Sequence, residues 1–209
     1  TFLSPQKAGG TGYSTSCSPN RIFINSGWEV AKDRKVGPFR ATIPFWLNDA
    51  DGKVLRVLAE SPGNERLGLT GPGGRLGGSG PMPLGRLSVV AIGRARAYVG
   101  TADSFAINVF DLNGRSLPSL RLSPVDVRTT PADIAEFVRS DTAGHSKGAI
   151  ERSLKMFAEL KWPATLPTYS ALVVDSEDHL WVQRFPRARE AVAHWAVFTP
   201  NGKETAKVD

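Results

Sequence analysis

Short alternating or β-branched apolar runs, each ended by a polar turn, set the rhythm of the chain. From Leu166 to Lys203 the run Leu172-Val173-Val174 stops at Asp175-Ser176-Glu177-Asp178. His179-Leu180-Trp181-Val182-Gln183 then alternates polar and apolar, the period-2 pattern of a half-buried strand. Trp195-Ala196-Val197-Phe198 follows and is closed by Asn201-Gly202, which predicts a type I′ hairpin. The phrase recurs upstream: Phe105 to Phe110 ends in Asp111-Leu112-Asn113-Gly114-Arg115, and Phe45-Trp46-Leu47 ends in Asn48-Asp49-Ala50-Asp51-Gly52-Lys53. A further strand-like run precedes each copy: Arg21 to Ile24, Arg96 to Val99, and Leu180 to Val182. Recurrence at this spacing predicts repeats of one supersecondary unit. The fold class is therefore mainly β: about three antiparallel, blade-like β-meanders with a helical insertion at about 130–160.

Residues 1–20 are rich in Gly, Ser, Thr and Pro and are expected as an extended N-terminal arm. Residues 21–209 are expected as one domain. Ser61 to Gly85 is nearly all turn formers and is predicted as a connection. It lacks phosphate-loop spacing, and a strand rather than a helix follows it. Within the insertion (124–165), Thr130-Pro131-Ala132-Asp133 places a cap, a proline at the first helical position and an acid three residues after the cap. Ile134, Phe137 and Val138 fall on one face of the first helix; Ile150, Leu154, Phe157 and Ala158 fall on one face of a second, from about Ser146 to Leu160.

Composition adds modest constraints. The 21 glycines and 15 prolines suit many turns and few long helices. The net charge of +6 is scattered, not gathered in a basic stripe, so nucleic acid is not an expected partner. An acidic protein or anionic lipid surface suits the charge at least as well as nucleic acid does. No run approaches the ~18 apolar residues of a membrane-spanning helix. Cys17 is the single cysteine and is read as a small half-buried apolar residue.

The chemical motifs have plainer explanations. Gly144-His145-Ser146-Lys147-Gly148 matches G-x-S-x-G, but polar residues precede it where a nucleophile elbow needs a buried strand, so Ser146 is read as a helix cap. His145, His179 and His194 lack metal-site spacing; His179 and His194 are expected as a cross-strand surface pair. The acidic turns at Asp49 and Asp175 lack the closing glutamate of a calcium loop. No catalytic residue, metal or cofactor is assigned.

Several segments together resemble the NHL-like six-bladed β-propeller proteins of bacterial envelopes. They are Gly80 to Arg86, Tyr98-Val99-Gly100 with Phe105 to Asp111, Leu166-Pro167-Thr168-Tyr169, Val174-Asp175, Leu180-Trp181-Val182 and Trp195 to Phe198. The likeness covers about 80–209 and weakens over 20–60. It implies a fold and few functional residues. Three meanders fall short of the four or more blades of a closed ring, so a fragment, or a half-propeller (partial β-propeller) with open edges, is expected, and open edges recruit other chains. The resemblance thus implies a periplasmic, membrane-extrinsic scaffold subunit bound to other subunits of a larger complex and in possible contact with the membrane surface. A subunit that braces a phototrophic bacterial reaction centre within its antenna is the specific expectation. Phe2, Tyr13, Arg21, Trp28 and Arg86 are the candidate partner contacts, being the aromatic and arginine types that anchor interfaces. The alternatives are a metal-dependent propeller hydrolase or lactonase and a small-ligand or peptide binding module.

Overall fold

The computed structural model describes residues 13–27, 34–188, 190 and 192–208. They form three antiparallel sheets in which every strand pairs with its neighbour in sequence. The first has five strands: β1 (Tyr13–Cys17), β2 (Phe23–Ser26), β3 (Gly37–Asn48), β4 (Val54–Thr70) and β5 (Leu76–Pro81). The second contains β6 (Val89–Ile92), β7 (Arg96–Gly100), β8 (Ala106–Asp111) and β9 (Ser116–Arg121). The third contains β10 (Tyr169–Val174), β11 (Leu180–Arg184), β12 (Trp195–Phe198) and β13 (Glu204–Val208). Helices α1 (Pro131–Thr142) and α2 (Lys147–Glu159) lie between the second and third sheets in sequence.

The sheets stack face to face, as blades do. Strand period 2 sends alternate residues to opposite faces, and each joint is filled by one such set. Ile24, Ile43, Phe45 and Leu47 of the first sheet meet Val90, Ile92, Ala97, Val99 and Phe110 of the second. Tyr98, Ile107, Val109 and Leu120 on the second sheet's other face meet Tyr169, Leu172, Leu180, Val182 and Phe198 of the third. The first strand of each sheet is innermost, and β6 touches β1, β2 and β10. The sheets thus fan out from a line of leading strands: a partial propeller of three blades, with no closed ring.

The Tyr169 phenol pins the second joint. It donates to the Ala106 carbonyl at 3.0 Å and accepts from the Ala102 amide at 3.1 Å, and Tyr169 is wholly buried. Gly100 permits this, since a Cβ there would lie 2.7 Å from the ring.

The repeated turns share one geometry. At Asp49, Asp111 and Asp175 the carboxylate Oδ1 accepts the amides two and four residues on, at 2.9–3.0 Å. The fourth residue of each turn (Gly52, Gly114, Asp178, and Gly202 in the last copy) takes positive φ, and its amide returns to the first carbonyl. Only one left-handed residue is needed, so these are type I turns followed by a glycine-type bulge, not the type I′ turn expected at Asn201-Gly202.

Other expectations are corrected. Residues 13–17 of the expected arm are β1, paired with β2. The expected connection at 61–85 is largely strand: β4 runs on to Thr70 and turns back as β5 through a 3-10 turn at Pro72–Gly74. Weak β propensity was overridden there because Phe39, Ala41 and Ile43 of β3 are buried and their strand needs a partner. Cys17 is exposed.

The insertion has its own small aromatic core of Phe137, Phe157 and Trp162, with ring centroids 5.7–5.9 Å apart. Leu154 and Ala158 fall outside it and are exposed, which corrects the face predicted for α2. The two chain ends of the insertion zip together, with Thr129 N–H to the Ala164 carbonyl and Leu166 N–H to the Val127 carbonyl.

Candidate interaction surface

A stack of blades that does not close leaves two outward faces, on its first and last sheets. On the third sheet the rung Leu172–Val182–Ala196 points into the second joint. The alternate rungs, Val173–Trp181–Val197–Ala206 and Ala171–Gln183–Trp195–Val208, therefore point away from it. Gln183 is the one polar residue in these eight positions. Val173 is 49% exposed and Val208 38%, while Val197 is buried at 6%. Trp181 and Trp195 sit edge to face at 6.4 Å. The indole N–H of Trp181 donates to Asp175 Oδ2 at 2.8 Å, which fixes that ring on the surface. Strand residues of this kind are normally covered by another layer, and large contiguous apolar faces mark interaction sites.

The outward face of the first sheet is more polar. Its rungs are Asn25–Trp46–Val57 and Phe23–Asn48–Val54. Val57 is 64% exposed and Val54 46%. Asn25 and Asn48 are buried, and the Oδ1 of each has no donor among the described residues.

Of the predicted contact residues, Phe2 and Trp28 lie outside the described residues, and of Tyr13 only the backbone, in β1, is described. Arg21 is exposed, with φ +57°, in the turn between β1 and β2. Arg86 is bound within the chain: Glu65 at 3.2 Å, Asp103 at 3.2 Å and Thr165 at 2.9 Å. Arg40 reaches the same Asp103 and donates to the carbonyls of Gly63 and Thr101. The five residues form a latch across the first sheet, the β7–β8 loop and the base of the insertion. Sequence reasoning took the outward tryptophans for parts of a generic strand pattern. The signal that separates them is the doubled apolar period over residues 171–174 and 180–183, both strand faces being apolar where one would be wet.

Elsewhere, Ser146 stands at the α2 N-cap without a side-chain capping bond, whereas Thr130 forms a full capping box with Asp133. Asp133 also accepts from Arg187 Nη2 at 2.8 Å and from the Ala188 amide at 3.0 Å. Burial opposes its charge, but the bonds from Thr130, Ala188 and Arg187 outweigh burial and bring its pKa down to about 2. The expected histidine pair does not form: His179 and His194 lie at opposite ends of β11, beside Asp175 and Glu190 respectively. A cleft of about 330 Å³ opens between the third sheet and the neck of the insertion, lined by Asp126, Arg184, Glu190 and His194 among others. Among the described residues no cluster of three or more His, Cys, Asp or Glu is placed to hold a metal, and no helix is long and apolar enough to cross a membrane.

No protein-family model matches the chain, and no curated protein matches it.

Proposed function

We propose that the chain is a non-catalytic interaction subunit that stabilises a larger membrane-associated complex by lending it the outward face of the third sheet. The observation that carries this reading is the two-rung apolar face around the Trp181–Trp195 pair, with Val173 and Val208 left about half and two-fifths exposed. Aromatic anchors amid aliphatic neighbours are what binding hot spots are made of. A second sheet laid on this face would repeat the packing already used at both internal joints. The resemblance to envelope propellers supports reading the complex as periplasmic and peripheral to the membrane, with a photosynthetic reaction centre and its antenna as the first assembly to examine.

Cross-linking with mass spectrometry on native membranes tests the proposal. Links from residues flanking β10 and β13 to a subunit of a membrane complex are the expected result; recovery of the chain as a free monomer would overturn it. The cleft at Arg184 and His194 supports a second reading, a small-ligand module, because Arg184 lines it and its buried Nη1 has no hydrogen-bond partner among the described residues. Saturable binding of a small anion, lost on Arg184→Ala, would favour that reading.

A further inference from the structure

The long hairpin of the first sheet is a built feature with no part in either internal joint at its far end. Only Phe45–Asn48 of β3 pair with β2. Among the described residues the rest of β3, from Gly37 to Pro44, pairs with β4, apart from the bond from the Gly27 N–H to the Pro44 carbonyl, and β5 is added to the distal part of β4. Ile43 still packs in the first joint and Arg40 is tied to Asp103 of the β7–β8 loop, so at ~3.3 Å per residue the three-stranded tip runs roughly 10–15 Å beyond that tie. Its root is held by the Arg40–Asp103–Arg86–Glu65 latch and by the buried side chains Phe39, Ala41 and Met82.

Its tip is dressed differently from the rest of the surface. Residues 34–44 and 66–81, which follow Asp33 and Glu65, contain five cations and no acid: Arg34, Lys35 and Arg75, with Arg40 and Arg66 bonded within the chain. Arg34, Lys35 and Arg75 are exposed and make no ion pair among the described residues. Between them stand exposed aliphatic side chains, Val36 at 45%, Leu69 at 41% and Leu76 at 37%. The glycines keep the tip thin: a Cβ on Gly68 would fall 1.8 Å from the Lys35 carbonyl oxygen, and one on Gly71 2.7 Å from Gly77 Cα.

We infer that this tip docks on an anionic lipid surface, its aliphatic side chains entering the headgroup boundary and its cations pairing with lipid phosphates. Aliphatic residues ringed by cations, without acids to repel anionic headgroups, are the interfacial combination such surfaces select. A purely protein partner would be served as well by acids at the rim; the absence of acids over both segments favours lipid. The inference rests on the membrane-peripheral part of the function proposed above and names the element that makes the contact.

The test is sedimentation of the 209-residue chain with vesicles of phosphatidylcholine alone or mixed with phosphatidylglycerol. Binding to the mixed vesicles only, weakened by salt, is expected. Lys35→Glu/Arg75→Glu and Leu69→Asp/Leu76→Asp should each reduce it, by roughly fivefold or more per charge altered. Lys147→Glu/Arg152→Glu, the same charge change on exposed residues of α2, should bind as wild type does. Circular dichroism checks that each variant is folded. Equal binding to both vesicle types, binding to neither, or tip variants that sediment like wild type would overturn the inference. None of those results touches the third-sheet face, because Val173 and Val208 lie on another sheet, so the two readings fail separately.

Discussion

At the scale of single residues, the strongest consequences gather at Tyr169. Replacing it with Phe keeps the ring against Gly100 but leaves the Ala102 amide and Ala106 carbonyl without their phenol partner. A buried group stripped of its hydrogen bond costs ~1–3 kcal/mol, so Tyr169→Phe should lower the unfolding free energy by about 2 kcal/mol in urea titration. Burial is the main cause that raises the phenol's pKa to about 12, offset in part by the amide bonds it receives. A raised folded-state pKa favours the neutral phenol. Its contribution is therefore whole below the ordinary tyrosine value of 10.0 and is lost as pH climbs from there through about 12. Wild type should lose stability over that interval and the Phe variant should lose less. Little of this was legible in the sequence: Tyr169 was visible as part of a repeated phrase, but its partners lie 63 and 67 residues away, and no local pattern encodes contact at that distance.

At the scale of elements, the turns and the insertion carry the argument. Three hairpin turns close on an aspartate whose Oδ1 holds two amides, so Asp111→Ala should cost about 1 kcal/mol, whereas Asp111→Asn, which keeps the acceptor, should cost less. The helical insertion is tied down by Asp133, where a folded-state pKa of about 2 stands against an unfolded value of 3.8. That depressed value stabilises the fold above pH 3.8 and is lost as pH falls from there toward about 2, on the order of 2 kcal/mol in all. Thermal melts at pH 6 and pH 3 should show a drop in wild type that is smaller in Asp133→Asn, a variant already destabilised at pH 6 because Arg187 loses its carboxylate. The places of the turns and the cap were legible, since their signals act within four residues of themselves, but the turn type was not: Asn-Gly suggested type I′, and one left-handed residue after a type I turn is what forms. The β4–β5 hairpin was not legible either. Its Gly-Pro composition signals turns, and only the demand of β3 for a partner converts it to strand.

At the scale of the whole molecule, three meanders stack into an open fan whose last face is apolar. The repeats announced the fan, because the period-2 phrase returns three times. Which face stays outward was hidden, since Trp181 and Val182 look equally buriable until the register assigns one to each side. An outward Val173→Asp should leave the isolated chain's stability within about 0.5 kcal/mol, as an exposed site, while abolishing association with a membrane complex. The most direct measurement is oxidative footprinting of Trp181 and Trp195, comparing the isolated chain with native membranes. Several-fold protection of both indoles in the membranes is the predicted result. Equal labelling in the two samples would contradict the account, because it would mean that nothing covers the third sheet where the chain resides.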